Sequence, residues 1–318
     1  METRIVGSSR AIRDSLEFTA RVAKSDKSVL LLGETGTGKD LLARRIHELG
    51  NRRGKPYVVL NCSSIPEGLF EAELFGFRRG AFTGADRDKP GLLEVANNGT
   101  AFLDEVGELP WLSQAKLLRI IDKREIRPVG DTNTKRIGTR FIFATNRDLG
   151  AEVRSGRFRM DLYFRISVVQ FKIPPLRDRK EDIPLLAAHI LEREIGPSGR
   201  VLRLTKEALD KLASHDYPGN IRELENILDR ASLIAEGAII RGKDLLWEKG
   251  KELGRETGAV RLGVEELKRA LEIHRWNKSK TARELKTSRR HLYRLLRKFG
   301  ITDGVRDGGG LGNPGEHS

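Results

Sequence analysis

An apolar run that ends in a glycine-rich turn and then opens a helix constrains this chain more than any other feature. SVLLL, residues 28 to 32, is followed by GETGTGK, residues 33 to 39, and then by the amphipathic pattern LLARRIHEL. Strand, glycine turn and helix in that order are the context of a phosphate-binding loop. Glycines let backbone N–H groups converge on phosphate oxygens, and a helix N-terminus adds positive potential. Gly33, Glu34, Thr35, Gly36, Thr37, Gly38, Lys39 and Asp40 are therefore candidate nucleotide-binding residues, with Lys39 reaching the outer phosphates. Asp40 stands where Ser or Thr usually ligates magnesium, so any metal contact there is indirect or carboxylate-mediated.

Four more short apolar runs follow: YVVLN (57–61), TAFLD (100–104), FIFAT (141–145) and VVQFKI (168–173), separated by segments of helical periodicity. This alternation predicts an α/β fold, a parallel sheet covered by helices. Asp104 and Glu105 end the third run and so lie at the carboxyl edge of the sheet, where ligands bind in open α/β folds. Such a pair can hold magnesium through water and polarise an attacking water; alternatively Asp104 is a helix cap. Pro174-Pro175 stops the last run, and 180–194, 205–214 and 220–235 are predicted as helices with no strand between them. KGKELGRETGAV, 249–260, suits a linker, and DGGGLGNPGEHS a disordered tail.

A chain of 318 residues has room for two or three domains. No apolar run approaches the roughly 18 residues of a membrane span, and METRIVGSSR lacks the apolar region of a signal peptide, so the expectation is a cytoplasmic protein with no membrane partner. Cys62 is the sole cysteine and reads as a small buried hydrophobe. Net charge is +14; between Arg261 and Ile301, 13 Lys/Arg against 4 Asp/Glu put +9 of it in one short segment. That segment is either a nucleic-acid-binding surface or a solvated basic one.

GAFTGA at 80–85, flanked by ELFG at 73–76 and GTAFLDEVGELP at 99–110, resembles the AAA+ ATPase domain of bacterial enhancer-binding proteins, the NtrC-like activators of sigma-54 RNA polymerase. The match runs from Ile5 to about Ile234. The resemblance implies an AAA+ subdomain at 1–174, a helical lid at 175–247, a linker at 248–260, a Fis-like helix-turn-helix at 261–302 and a tail at 303–318. It implies ATP and Mg2+ as cofactors, the metal on Asp104 through water. Gly80, Ala81, Phe82, Thr83, Gly84 and Ala85 would be a mobile loop touching the sigma factor, although from the residues alone Phe82 could equally be buried by a turn. Residues 126–138 resemble the hairpin that backs this loop.

The remaining roles are implied the same way. Asn61 would be a switch bonded to Glu105; Thr145-Asn146 would sense the γ-phosphate; Arg159 and Arg165 would be arginine fingers entering a neighbouring subunit; Arg222 would be the lid's sensor arginine. Each arginine alone also suits a surface ion pair. Fingers acting in trans require a closed oligomer, implied to be a hexamer formed from dimers. VEELKRALEIHRWNKSKTARELKTSRRHLYRLLRKFGI, 264–301, resembles the Fis-type helix-turn-helix, with Leu267, Leu271, Ala282, Leu285, Leu292, Leu295 and Leu296 as its core. Ser288, Arg289, Arg290, His291, Tyr293 and Arg294 would face the major groove of double-stranded upstream DNA; Lys286 stands at the turn where the family commonly has Gly.

The resulting expectation is a sigma-54-dependent activator in which ATP hydrolysis drives loops that remodel the polymerase holoenzyme. A DNA-binding repressor using the ATPase scaffold for oligomerisation and a remodeller acting on other substrates are the competing readings. Because the ATPase pattern already starts at Ile5, no receiver or ligand-sensing domain is expected before it in this sequence; control would come from a separate regulatory protein, an inhibitor or partner, from expression level, or from a domain outside this sequence, and activity would not need phosphorylation.

Overall fold

The structure is a computed structural model and describes residues 4–192, 202–246, 264–274 and 276–285, together with Leu292 and Leu296. The chain enters through helix α1 (Arg10–Ala23), capped by Ser9, whose hydroxyl accepts from Ile12 N at 3.2 Å. Strand β1 (Val29–Leu32) leads through the glycine turn into α2 (Lys39–Glu48) and on to β2 (Tyr57–Asn61) and α3 (Glu67–Phe75). A two-residue ribbon, β3 (Gly76–Phe77) with β4 (Lys89–Pro90), then brackets the segment containing residues 80–85. A short α4 (Leu92–Val95) precedes β5 (Thr100–Asp104) and α5 (Trp111–Lys123). The antiparallel ribbon β6 (Glu125–Ile126) with β7 (Lys135–Arg136) makes the hairpin expected within 126–138. Strand β8 (Arg140–Thr145), helices α6 (Leu149–Arg154) and α7 (Met160–Ile166), and strand β9 (Val169–Lys172) complete the layer.

The strands form one parallel sheet in the order β2-β5-β8-β1-β9. The central strands β1, β5 and β8 are covered on both faces, which explains why they appear in the sequence as near-continuous apolar runs; the edge strands β2 and β9 are partly exposed, and β9 alternates. Leu30, Leu103, Phe141 and Phe143 pack on one side, and Val29, Leu31, Phe102, Ile142 and Ala144 on the other. Removing each of these Val, Leu, Ile and Phe side chains from water contributes roughly 1.5–3 kcal/mol. Arg140 opens β8 inside this core. Its guanidinium donates to Val22 O at 2.7 Å and Ala23 O at 2.9 Å, tying β8 to the last-turn carbonyls of α1.

A 3-10 turn at Leu176–Asp182 leads into the lid: α8 (Ile183–Leu191), β10 (Arg203–Leu204), α9 (Lys206–Ser214), α10 (Asn220–Ile234) and β11 (Ile239–Ile240). Its own core gathers Leu186, Ala187, Leu224, Leu228 and Ala231 around Tyr217, whose hydroxyl donates to Leu212 O at 2.8 Å. The parallel pair β10–β11 corrects the expectation of a strand-free lid; two residues per strand are too few to leave a periodic signature.

The chain separates into two units at Trp247. In the second, α11 (Val264–Ile273) lies against α12 (Lys278–Glu284), and Leu267 and Leu271 of α11 cluster with Leu292 and Leu296, with Trp276 and Leu285 packed against them. Trp276 takes a left-handed φ of 60° in the turn, and Asn277 caps α12 by accepting from Lys280 N at 3.2 Å. Ser288, Arg289, Arg290, His291, Tyr293 and Arg294 lie outside the described residues, as do Lys286, Leu295, the side chain of Ala282, the linker 248–260 and the tail 303–318.

Candidate nucleotide site and its two loops

The phosphate loop occupies residues 33–38, between β1 and α2. Gly36 and Gly38 have φ of 77° and 94°, backbone that L side chains rarely adopt. Gly36 is excluded from substitution a second way, since a Cβ there would lie 2.3 Å from Gly219 O of the lid. Thr37 is buried and donates to Glu34 O at 2.8 Å, tightening the turn. The Lys39 ammonium reaches back over the loop to Gly33 O at 2.9 Å and Glu34 O at 3.2 Å, and stands 3.9 Å from Glu105 Oε1. Lys39 is 94% buried by its surroundings, so its charge acts in a medium far less screened than water.

Strands β5 and β8 present the acidic and polar groups. Asp104 accepts from Glu105 N at 2.9 Å. Glu105 then turns into left-handed backbone, φ 53°, which aims its carboxylate across the strand ends at Lys39 and at Asn146 N, 3.2 Å away. Asn146 Nδ2 donates to Thr35 Oγ1 at 3.1 Å, so the residue after β8 already faces the phosphate loop. Asn61 behaves differently. Its Oδ1 accepts from Ser63 N at 3.0 Å and Ser63 Oγ at 2.8 Å, and the expected bond to Glu105 is not made: β2 pairs Asn61 with Asp104, and a local turn satisfies the amide instead. Cys62, next along, is buried, and burial pushes its thiol up, as befits a small core residue.

For magnesium the donors are suitable, since the ion keeps most of its waters and takes one or two carboxylates plus phosphate oxygens. Asp104 and Glu105 supply that pair beside Lys39. Among the described residues no larger group of His, Cys, Asp or Glu competes for a metal.

The lid closes the other side. A cleft of about 660 Å³ is bounded by Val6, Gly36, Asp40, Ile190 and Arg222, joining the phosphate loop to α8, α10 and the entering segment of chain. Asp182, fully buried, anchors that entering segment: it accepts from Ser8 N at 2.7 Å, Ser9 N at 2.8 Å and Ser9 Oγ at 2.6 Å. Arg179, also buried, donates to Thr37 O at 3.0 Å. Glu34 turns its carboxylate to Arg177 and Asn220; the Arg177 guanidinium holds that carboxyl below its ordinary range. Sequence reasoning missed Arg177, Arg179, Asp182 and Asn220. The only signal was their position in RDRKED and YPGN, next to the proline-marked element boundaries.

Arg159 and Arg165 do not join this site in their own subunit. Arg159 forks onto Asp161, at 3.1 and 2.8 Å, over the Trp111 ring; Arg165 pairs with Asp122 at 2.7 Å. Around them Leu112, Met160 and Phe164 are 73%, 61% and 66% exposed, an apolar face on α5 and α7.

Residues 78–88 make a separate exposed loop. Its turn is closed by Gly80 N to Ala85 O at 2.8 Å and Ala85 N to Phe82 O at 3.0 Å. Gly80 and Gly84 have φ of 78° and 95°, with no atom within 4 Å of an added Cβ, so conformation alone demands glycine there. Phe82 is 39% exposed and sets its ring edge-on to Phe77, 4.9 Å between centroids, so it is neither buried nor free; Thr83 is exposed. Arg78 ties the stem to Asp88 and, on the backing hairpin, to Asp131 at 2.7 Å.

Among the described residues no helix is long and apolar enough to cross a membrane. Residues 5–172 match the sigma-54 interaction domain, 177–257 the AAA+ ATPase lid domain, and 265–299 the Fis family of bacterial regulatory proteins. The response regulator protein PilR of Pseudomonas aeruginosa is 42% identical over 315 residues, covering 95% of this chain and 71% of PilR. The regulatory protein AtoC of Escherichia coli is 42% identical over 313 residues, covering 93% of this chain and 68% of AtoC. Among solved structures, NtrX from Brucella abortus in complex with ATP superposes with a TM-score of 0.71 at 29% identity, over 94% of this chain and 70% of NtrX. The chain belongs to the sigma-54-dependent transcription activators, joining an AAA+ P-loop domain and its lid to a Fis-type helix-turn-helix for DNA.

Proposed function

We propose that this chain hydrolyses ATP in a closed ring of copies and uses the 80–85 loops to remodel sigma-54 polymerase bound at a promoter. The ATPase unit would span 1–174 with its lid at 175–247, and 261–302 would hold the ring at upstream DNA through Ser288, Arg289, Arg290, His291, Tyr293 and Arg294. The observation that carries this reading is the exposed tip Phe82-Thr83, held by a glycine turn of its own and backed by a hairpin that is joined through α5 to the strand end bearing Glu105.

In the chemical step Lys39 would bind the outer phosphates and Arg222 would close over the nucleotide from the lid. Glu105 would orient water and take its proton on a carboxylate oxygen as the water oxygen bonds to the γ-phosphorus and the bond to the β–γ bridging oxygen breaks, leaving ADP and phosphate. Mg2+, held through water by Asp104, would neutralise charge on the phosphates. Asn146 would read the γ-phosphate. Asn61, now on Ser63, would have to leave that turn to reach Glu105. Arg159 and Arg165 would complete a neighbour's site, which suits the exposed apolar face around them.

Open-complex formation at a sigma-54 promoter, with this protein and ATP, tests the reading. Thr83→Ala should abolish it while leaving ATP hydrolysis largely intact. Repression by simple DNA occupancy predicts no open complexes from either protein, and a general DNA remodeller would unwind DNA without polymerase.

A further inference from the structure

The junction between phosphate loop and lid contains a group of side chains with no direct place in the chemistry above. Arg177 donates both arms of its guanidinium to Glu34, Nη1 to Oε2 at 2.8 Å and Nη2 to Oε1 at 2.6 Å. Asn220 Nδ2 donates to the same Glu34 Oε2 at 3.2 Å and to Thr35 O at 3.0 Å, while its Oδ1 accepts from Leu176 N at 2.7 Å. One residue on, Ile221 N donates to Gly36 O at 2.9 Å. Asn220 is fully buried with a left-handed φ of 54°, and Arg222 follows two residues later on the first turn of α10. A planar fork on a carboxylate fixes direction as well as distance, and a fully satisfied buried amide fixes its backbone. Residues 34–36 are therefore tied at several points to the turn that launches Arg222.

We infer that Arg177, Glu34 and Asn220 act as positioning residues, a clasp that holds the start of α10 against the phosphate loop and so sets Arg222 over the bound nucleotide. This rests on the reading of Arg222 as a nucleotide contact. Glu34, on this view, does not touch nucleotide with its side chain; it serves the site from behind.

The test uses the full chain and measures binding of a fluorescent ADP analogue and the KM and kcat of ATP hydrolysis. Arg177 is exposed, so Arg177→Ala should leave the thermal unfolding midpoint near that of the unaltered protein. It should weaken nucleotide binding and raise KM on the order of tenfold, with a smaller effect on kcat. Arg177→Lys, which keeps the charge but loses the fork, should fall between. In an Arg222→Ala background the same Arg177→Ala change should add about twofold or less, because the two residues act as one unit. Equal fold-changes in both backgrounds, with Arg222→Ala itself harmful, would overturn the clasp alone. An Arg222→Ala protein with unaltered affinity would overturn the site reading, and the clasp with it.

Discussion

The phosphate loop and the 80–85 loop are both built on glycines of positive φ, yet they are opposites in every other respect. Residues 33–39 are enclosed: Gly36 lies against Gly219, Thr37 and Lys39 are buried, and the lid is bonded to Glu34, Thr35, Gly36 and Thr37. In residues 80–85 Phe82, Thr83 and both glycines are exposed while Ala85 is tucked in, a Cβ on Gly80 or Gly84 would meet nothing within 4 Å, and the stem is held by Arg78 between an exposed Asp88 and a largely covered Asp131. Glycine in the first loop serves close approach; in the second it serves freedom. If the proposed function holds, this asymmetry is what it needs: a site that does not yield where nucleotide would bind, and a soft element where force would be delivered.

The comparison can be tested at its extremes. Glu105→Gln should lower hydrolysis on the order of 10²–10⁴-fold while nucleotide still binds, since only the proton acceptor is lost; steady-state ATPase and a binding titration check this. Retained turnover would move the base elsewhere. Next in size is a pair of identical substitutions. Gly36→Ala combines strained backbone with a carbonyl 2.3 Å from the new carbon, so it should cost about 3 kcal/mol or more of stability by denaturant unfolding. Gly80→Ala meets only the strain, about 1–2 kcal/mol at most, and should spare hydrolysis. Similar costs at the two positions would erase the distinction drawn here.

A smaller effect is expected at the stem. Arg78→Ala removes both ion pairs, to Asp88 and Asp131, and should speed amide exchange over 78–88 with little change in the unfolding midpoint, because Arg78 and Asp88 have exposed side chains and Asp131 keeps its bond from Asn133 N. The smallest concerns His47, buried against Thr100 Oγ1 at 2.9 Å, whose imidazole is pushed below its ordinary 6.5 by burial. The folded protein therefore binds fewer protons there than the unfolded chain just below that value. The contribution is complete above pH 6.5 and is lost as pH falls through the lowered folded value. His47→Gln should flatten that part of a stability-against-pH curve.

What could be read in advance follows the same division between local and distant causes. All five sheet strands were legible: the central strands β1, β5 and β8 are buried on both faces and announce themselves as short apolar runs, as in VLLL and FIFAT, while the edge strands β2 and β9 are only partly buried but still rich in Val, Tyr and Phe. The phosphate loop was legible because its strand and helix are adjacent to it in sequence. The clasp was not: Arg177 and Asn220 lie 143 and 186 residues from Glu34, and neither residue type is distinctive alone. Asn61 shows the opposite balance, a local bond where a distant one is expected. The resemblance pointed to Glu105, but Ser63, two residues away, satisfies the amide in this structure. Phe82 fell between the two expectations, half-covered by Phe77, a pairing across the loop stem that no spacing rule would suggest.

Amide hydrogen exchange across 78–88, compared without nucleotide and with an ADP–metal fluoride mimic of the hydrolytic transition state, addresses the coupling most directly. The account predicts that exchange at Gly80 and Ala85 accelerates when the mimic binds, as the turn that folds the tip back opens, while amides of 34–37 become more protected. Unchanged exchange at both turn amides, in a protein shown to have bound the mimic, would contradict it.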